Sequence, residues 1–394
     1  MPLTSRRKGV IGFAIQTGLG SANYVTDSNT HKYVTNYVSG GIAPVRDRTD
    51  LALTSSTQGR RGQYVQRARG EGTVTIQANP NLLGMLLYQV CGAQSTATRT
   101  HTFVVSDQLP PRAASPNNTG PLTVWSQVVD DWWKFGDCYI SRMTIRGVSG
   151  DNILVELGLM SYGAQRLGTA PASDPSATGV SPLPLDTEPR FKYIGSTVKL
   201  GATADVPLTI TNAESCEFSI DRAMELRYGS NLNPSGNIPV RNVDFSAMFT
   251  YDDTASGSNN PGWQYLAASQ LGLTGAATGM TGAGFLNSAS SMTGATTQNL
   301  WRGSFDVTYG LHDPSPATGN VLSLEIASTS FGSSRGNWEY AVERPEADPG
   351  GGALEMTAAG PVLPYLPGAT EALKSEVTIT LKNDVSGDYT ATNP

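Results

Sequence analysis

The sequence predicts a mainly-β protein, and three observations carry that prediction. Apolar and polar residues alternate over many short runs, such as Val243-Asp-Phe-Ser-Ala-Met-Phe-Thr-Tyr251, the period-2 pattern of a half-buried strand. The chain holds 43 Gly and 24 Pro with many Ser and Thr, residues that end strands in turns and do not sustain long helices. Helical periodicity shows in only two short stretches. A chain of 394 residues with 39% hydrophobic content is long enough for two or three domains and for a core in each of two.

The stretch from Gly70 to Gly92 organises the first half. Val74, Ile76 and Ala78 alternate with Thr73, Thr75 and Gln77, a strand pattern. The period then changes. Asn79 is a good N-cap, and Pro80 stands at the first helical position, where its missing N–H costs nothing. Leu82, Leu83, Leu86, Leu87 and Val90 fall on one helical face. Gly92 supplies a left-handed residue to end the helix. So short a helix is unstable alone and must lie against a sheet.

Other strands are expected at Gly9–Ile15, His101–Ser106, Leu122–Val129 and Ser215–Asp221, and at Gly303–Tyr309, Val321–Phe331 and Glu376–Lys382. Gly136–Arg146 and Ile153–Met160, joined by a turn at 147–152, form an expected hairpin. Pro261–Gln270 reads as a second short helix. Gln16–Arg69 reads mostly as a long polar loop without periodicity, and Ala223–Asn237 as a shorter one. Loops of that length in a compact domain are usually functional or meet a partner.

The order of elements repeats across a Pro-rich stretch, 168–189, whose composition is that of an extended linker. This predicts two copies of one domain. The first is 1–167 with the long loop 16–69. The second is 190–394, with insertions at 272–299 and 332–370.

Charge and chemistry narrow the function. Residues 1–70 carry ten Lys or Arg against three Asp, a net of +7, which leaves −13 for the rest. Such asymmetry fits nucleic-acid binding, or a basic surface that meets an acidic one. The basic residues are scattered, without an interleaved aromatic ladder, which favours the second reading. Cys91, Cys138 and Cys216 lie far apart in apolar runs and read as buried hydrophobes. His31, His101 and His312 each stand alone, and no His/Cys cluster has metal-ligand spacing. No nucleophile elbow or phosphate-binding loop is present. Asp130-Asp131 and Asp252-Asp253 read as turn residues. The expectation is therefore no catalytic residue, no metal and no cofactor. Met1-Pro-Leu-Thr-Ser-Arg-Arg-Lys8 is not followed by an apolar stretch long enough for a signal peptide, and no run reaches membrane-spanning length. Synthesis in a cytoplasm is expected.

A strand and long loop, then "GEGTVTIQANPNLLGMLLYQVCG" (70–92), then "FGDCYISRMTIRG" (135–147) leading into a hairpin, resemble the tail tube proteins of long-tailed bacteriophages. The second half fits with "SCEFSIDRAMELRYGS" (215–230) and "VRNVDFSAMFTYDD" (240–253). The resemblance implies two tandem tail-tube-type β-sandwich or barrel domains, each with a short flanking helix and long loops. It implies a structural virion protein, not an enzyme, made in the host bacterial cytoplasm. Trimeric, pseudo-hexameric rings would stack into a tail tube. Its partners would be further copies of itself and the tail terminator, tape measure and distal tail proteins. DNA would pass in transit, and no membrane is involved. The long loop would reach the next ring, through Tyr33, Tyr37, Arg46, Asp47, Arg48, Asp50, Arg60 and Arg61. Asp244, Ser246 and Thr250, on the polar face of their strand, would face the lumen. Two rival readings are a distal tail or baseplate hub protein of related fold and a carbohydrate-binding β-sandwich that stacks sugars on exposed Trp132 and Trp133.

Overall fold

A computed structural model of the chain holds, among its described residues, two large, mainly antiparallel β-sheets, one two-stranded sheet and one α-helix. It describes residues 10–16, 32–36, 38–50, 63–106, 121–128, 131–166, 183–184, 190–201, 208–210, 213–228, 230, 234–238, 241–250, 303–311, 322–328, 337–342, 355–364 and 376–389. In chain order the elements are β1 (Val10–Ile15), β2 (Lys32–Asn36), β3 (Ser39–Asp50), β4 (Gln63–Gln77), α1 (Pro80–Cys91), β5 (Gly92–Ala97), β6 (Thr100–Val105), β7 (Leu122–Val128), β8 (Asp131–Val148), β9 (Leu154–Arg166) and β10 (Leu183–Pro184). There follow β11 (Phe191–Gly201), β12 (Leu208–Ile210), β13 (Ala213–Asp221), β14 (Glu225–Tyr228), β15 (Pro234–Ile238), β16 (Asn242–Thr250), β17 (Ser304–Leu311), β18 (Ser323–Ser328), β19 (Ala341–Val342), β20 (Glu355–Pro361) and β21 (Val377–Lys382).

The first sheet has twelve strands and runs β10-β2-β1-β7-β8-β13-β16-β20-β19, with β9, β4 and β3 branching from β8. The eighteen residues of β8 make the branch possible. On one side its start pairs with β7 and its end with β13, while β9 runs along the other. A register shift between Ile140 and Arg142 marks the change, as a bulge bends a strand. The second sheet runs β12-β11-β17-β18-β21-β6-β5. All described pairs are antiparallel except the two-residue β10–β2 pair.

The sheets share one core. Phe245 of β16 and Phe305 of β17 stack with ring centroids 4.0 Å apart, and Trp338 meets both edge-on. Helix α1 touches β8 of the first sheet and β5, β6 and β21 of the second. Its termini follow the sequence. Asn79 caps it, its side-chain oxygen accepting from the backbone N–H groups of Asn81 and Leu82 at 3.0 and 3.2 Å. Gly92 ends it at φ 84°, where a side chain would be strained. The expected single apolar face is corrected: all twelve residues are buried, because the helix is covered from both sheets.

The expected strands at 9–15, 101–106, 122–129, 215–221, 243–251, 303–309, 321–331 and 376–382 are present within a few residues. The expected pairings of β8 with β9 and of β18 with β21 are present too. Several readings are corrected. Within 16–69 lie β2, β3 and the start of β4, and β3 pairs with β4 over its whole length. Ala223–Asn237 contains the β14/β15 hairpin. The excursion 332–370 supplies β19 and β20, which extend the first sheet beyond β16. Trp132 is only 2% exposed, so it offers no sugar-stacking face. The expected helix at 261–270, the insertion 272–299 and most of 168–189 lie outside the described residues.

Each sheet draws strands from both sides of 168–189. β13 pairs with β8 in the first sheet, and β21 pairs with β6 in the second. Arg222, fully buried, reaches from the end of β13 to the carbonyls of Val90, Cys91 and Ser106.

Candidate interaction surfaces

Two features distinguish the surface: a ribbon that runs past the sheet, and a broad polar face. Both follow from pairing register.

β4 pairs with β9 from Gln77 back to Gly70, which lies opposite Ser161. From Arg69 to Gln63 its only partner among the described residues is β3, through Asp50. The outer half of the hairpin is therefore a two-stranded ribbon. Arg69 ties it together, its guanidinium meeting Asp47 at 2.8 Å and Glu71 at 2.7 Å. Asp47 lies opposite Arg67, so these groups share one face. Arg46 and Arg48, on the other face of β3, are exposed.

Beside the ribbon lies β14/β15. Arg67 places its guanidinium carbon 4.8 Å from the centroid of the Tyr228 ring. At the base of this hairpin Met224 and Leu226 cluster with Tyr139, Met160 and Tyr162. The two segments expected to contact a neighbour, far apart in sequence, thus lie together.

The polar face belongs to β16, β13, β8 and β9. In one cross-strand row Asp244 faces Ser219, which faces Thr144 and then Glu156. In the next, Ser246 faces Glu217 and then Arg146. Thr250 donates its hydroxyl to the Glu214 carboxylate at 2.5 Å. With β20 included, this face carries Glu156, Glu214, Glu217, Asp221, Asp244 and Glu355 against Arg142 and Arg146. Burial raises the Asp244 carboxyl above its ordinary range, and the charge of Asp221 adds to this while Arg142 opposes it. Phe245 and Phe249, at 2% and 1% exposure, point the other way into the core.

The expected contact residues divide. Arg46 and Arg48 are exposed, Asp47 is held by Arg69, and Asp50 ends β3 opposite Gln63. Tyr33 is a correction: it lies opposite Phe13 in β1 and is 2% exposed in the core, because β2 is an inner strand of the first sheet. Tyr37, Arg60 and Arg61 lie outside the described residues. Asp244, Ser246 and Thr250 share the polar face. The sequence reading missed Tyr228 and Arg67. An isolated Tyr in "ELRYGS" carries no signal of a contact 161 residues upstream.

Among the described residues, the three cysteines and His101 are buried inside the fold. Burial pushes the thiols of Cys91 and Cys216 up to about 12 and about 11, and raises that of Cys138 as well, so none is a ready nucleophile. His101 is fully buried, with Nδ1 3.0 Å from the Thr96 hydroxyl and Nε2 within 3.1 Å of the Asn383 side-chain oxygen and the Val385 carbonyl. Among the described residues no group of three His, Cys, Asp or Glu is placed to hold a metal ion. His31 and His312 lie outside them. No helix among the described residues is long and apolar enough to cross a membrane. Neither protein-family models nor curated proteins gave a match to the chain.

Proposed function

We propose that the chain is the tail tube subunit of a long-tailed bacteriophage, assembling into stacked rings around a channel for DNA. The observation that carries this reading is the β3/β4 ribbon, which leaves a two-sheet β-sandwich carrying one broad polar face. A ribbon that leaves the body in one direction gives a head-to-tail contact, and such contacts generate filaments. Arg46 and Arg48 would meet the next ring.

The two-domain reading takes a specific form. The β8–β13 joint would be the seam between two tube domains of one chain, and three chains would close a pseudo-sixfold ring. The polar face would line the channel. Six carboxylates against two guanidinium groups suit that place, since DNA carries one negative charge per about 1.7 Å of axis and a basic wall would hold it. Terminator, tape measure and distal tail proteins would cap and fill the tube in the virion.

Native mass spectrometry of the purified full chain tests the ring unit. Trimers and multiples of three are the expected species. Six full chains per ring, or a stable monomer at all concentrations, would overturn the proposal.

A further inference from the structure

We propose that β14/β15 is a brace that sets the direction of the β3/β4 ribbon, with Tyr228 as the positioning residue. Only the ribbon's role in assembly rests on the tube reading; the bracing does not.

Beyond Gly70 no third strand pairs with the ribbon among the described residues, and a two-stranded ribbon by itself is marginally stable in water. The Arg69 bridges to Asp47 and Glu71 close within the hairpin and stiffen it, and the same guanidinium also meets the Tyr228 hydroxyl of β14. β14 begins from a fixed base. Arg222 is locked to three backbone carbonyls, and the Asp221 carboxylate accepts from the Ala223 N–H at 2.6 Å. Met224 and Leu226 then pack on Tyr139, Met160 and Tyr162. From that base Tyr228 reaches the ribbon and lays its ring under Arg67, a cation–π contact. The part of the chain after 190 thereby aims a hairpin made before 80. The exposed pair Arg46 and Arg48, on the opposite face, is presented in one orientation as a result.

The test uses the full-length chain with Tyr228→Leu, Tyr228→Phe and Arg67→Met, followed by hydrogen exchange of the 39–50 peptide, thermal melting and sedimentation. Tyr228→Leu and Arg67→Met are expected to speed exchange over Val45–Asp50 by about fivefold, the loss that one cation–π contact gives. The melting temperature should stay unchanged, Tyr228→Phe, which keeps the ring and loses only the hydroxyl beside Arg69, should speed exchange less than Tyr228→Leu, and assembly should fall in the two fast-exchanging variants. Arg67→Met removes an exposed side chain and so guards against a folding defect at Tyr228. Unchanged exchange in both variants would overturn the brace. Faster exchange in a chain that never assembles would uphold the brace and overturn the tube reading.

Discussion

Arg222 donates from both Nε and Nη2 to the carbonyl of Val90, at 2.8 and 2.5 Å, in the last turn of α1. Its other bonds reach Cys91 and Ser106. A helix C-terminus leaves carbonyls without intrahelical partners, and this one is buried among two sheets. The guanidinium satisfies it and opposes the negative end of the helix dipole. Arg222→Met should therefore cost about 3 kcal/mol or more in denaturant unfolding, since buried acceptors lose a charged donor. Arg222→Lys should recover only part, because an ammonium lacks the planar fork. A loss below about 1 kcal/mol in Arg222→Met would contradict this role.

Gly84 faces Tyr389. A Cβ there would stand 2.1 Å from the Tyr389 hydroxyl. That hydroxyl accepts from the Asn383 side chain at 2.5 Å, and Asn383 also donates to the Pro80 carbonyl at 3.1 Å. Gly84→Ala should cost about 1–3 kcal/mol through overpacking. The cost should shrink in a Tyr389→Ala background, where the two changes share one contact. Strict additivity would show that the segment ending at Tyr389 does not depend on this fit.

His101 gives the fold a defined acid sensitivity. Burial lowers its pKa, against the opposing hydrogen bonds to the Asn383 side-chain oxygen and the Val385 carbonyl and the charge of Asp388. Nε2 faces two acceptors, so it carries the proton of the neutral ring. The unfolded chain then binds more protons below about pH 6.5, and stability is lost as pH falls from there toward the folded pKa. Glu376 and Asp244, raised chiefly by burial, act with the opposite sign near the carboxylate range. Comparison of wild type with His101→Gln isolates the histidine. Equilibrium unfolding between pH 5 and 8 should slope for the wild type and flatten for the variant. Equal slopes would contradict it.

What the sequence revealed depended on one-sided burial. β16 was legible because Val243, Phe245 and Phe249 enter the core while Asp244 and Ser246 do not. α1 was legible because Asn79, Pro80 and Gly92 mark its ends. β3 was not, since Ile42 enters the core but Gly40, Gly41, Pro44, Arg46 and Arg48 around it leave no repeated apolar alternation. β5, Gly92–Ala97, likewise has no alternation. The candidate surface was half legible. Arg46 and Arg48 stood out by charge in a segment without periodicity, whereas Tyr228 over Arg67 and the bond from Arg222 to Val90 are long-range pairings that no local pattern carries.

Arg46 and Arg48 test the contact expected between rings. Both are exposed, so Arg46→Glu with Arg48→Glu should change folding stability by no more than about 0.5 kcal/mol. Sedimentation should show subunits that no longer form long assemblies. In the wild type, assembly should weaken with added salt, as screening shortens the reach of surface charges to about 8 Å at physiological ionic strength. Long assemblies from the double variant would remove these residues from the contact.

Electron microscopy of the purified, concentrated full chain tests tail-tube assembly most directly. The expected image is a hollow tube of stacked rings, each with three chains and pseudo-sixfold symmetry. Its channel should be lined by the face that carries Asp244, Ser246 and Thr250, with Phe245 and Phe249 turned away. Dispersed monomers, a single cap-like ring that does not stack, or a channel lined mainly by Arg and Lys would contradict it.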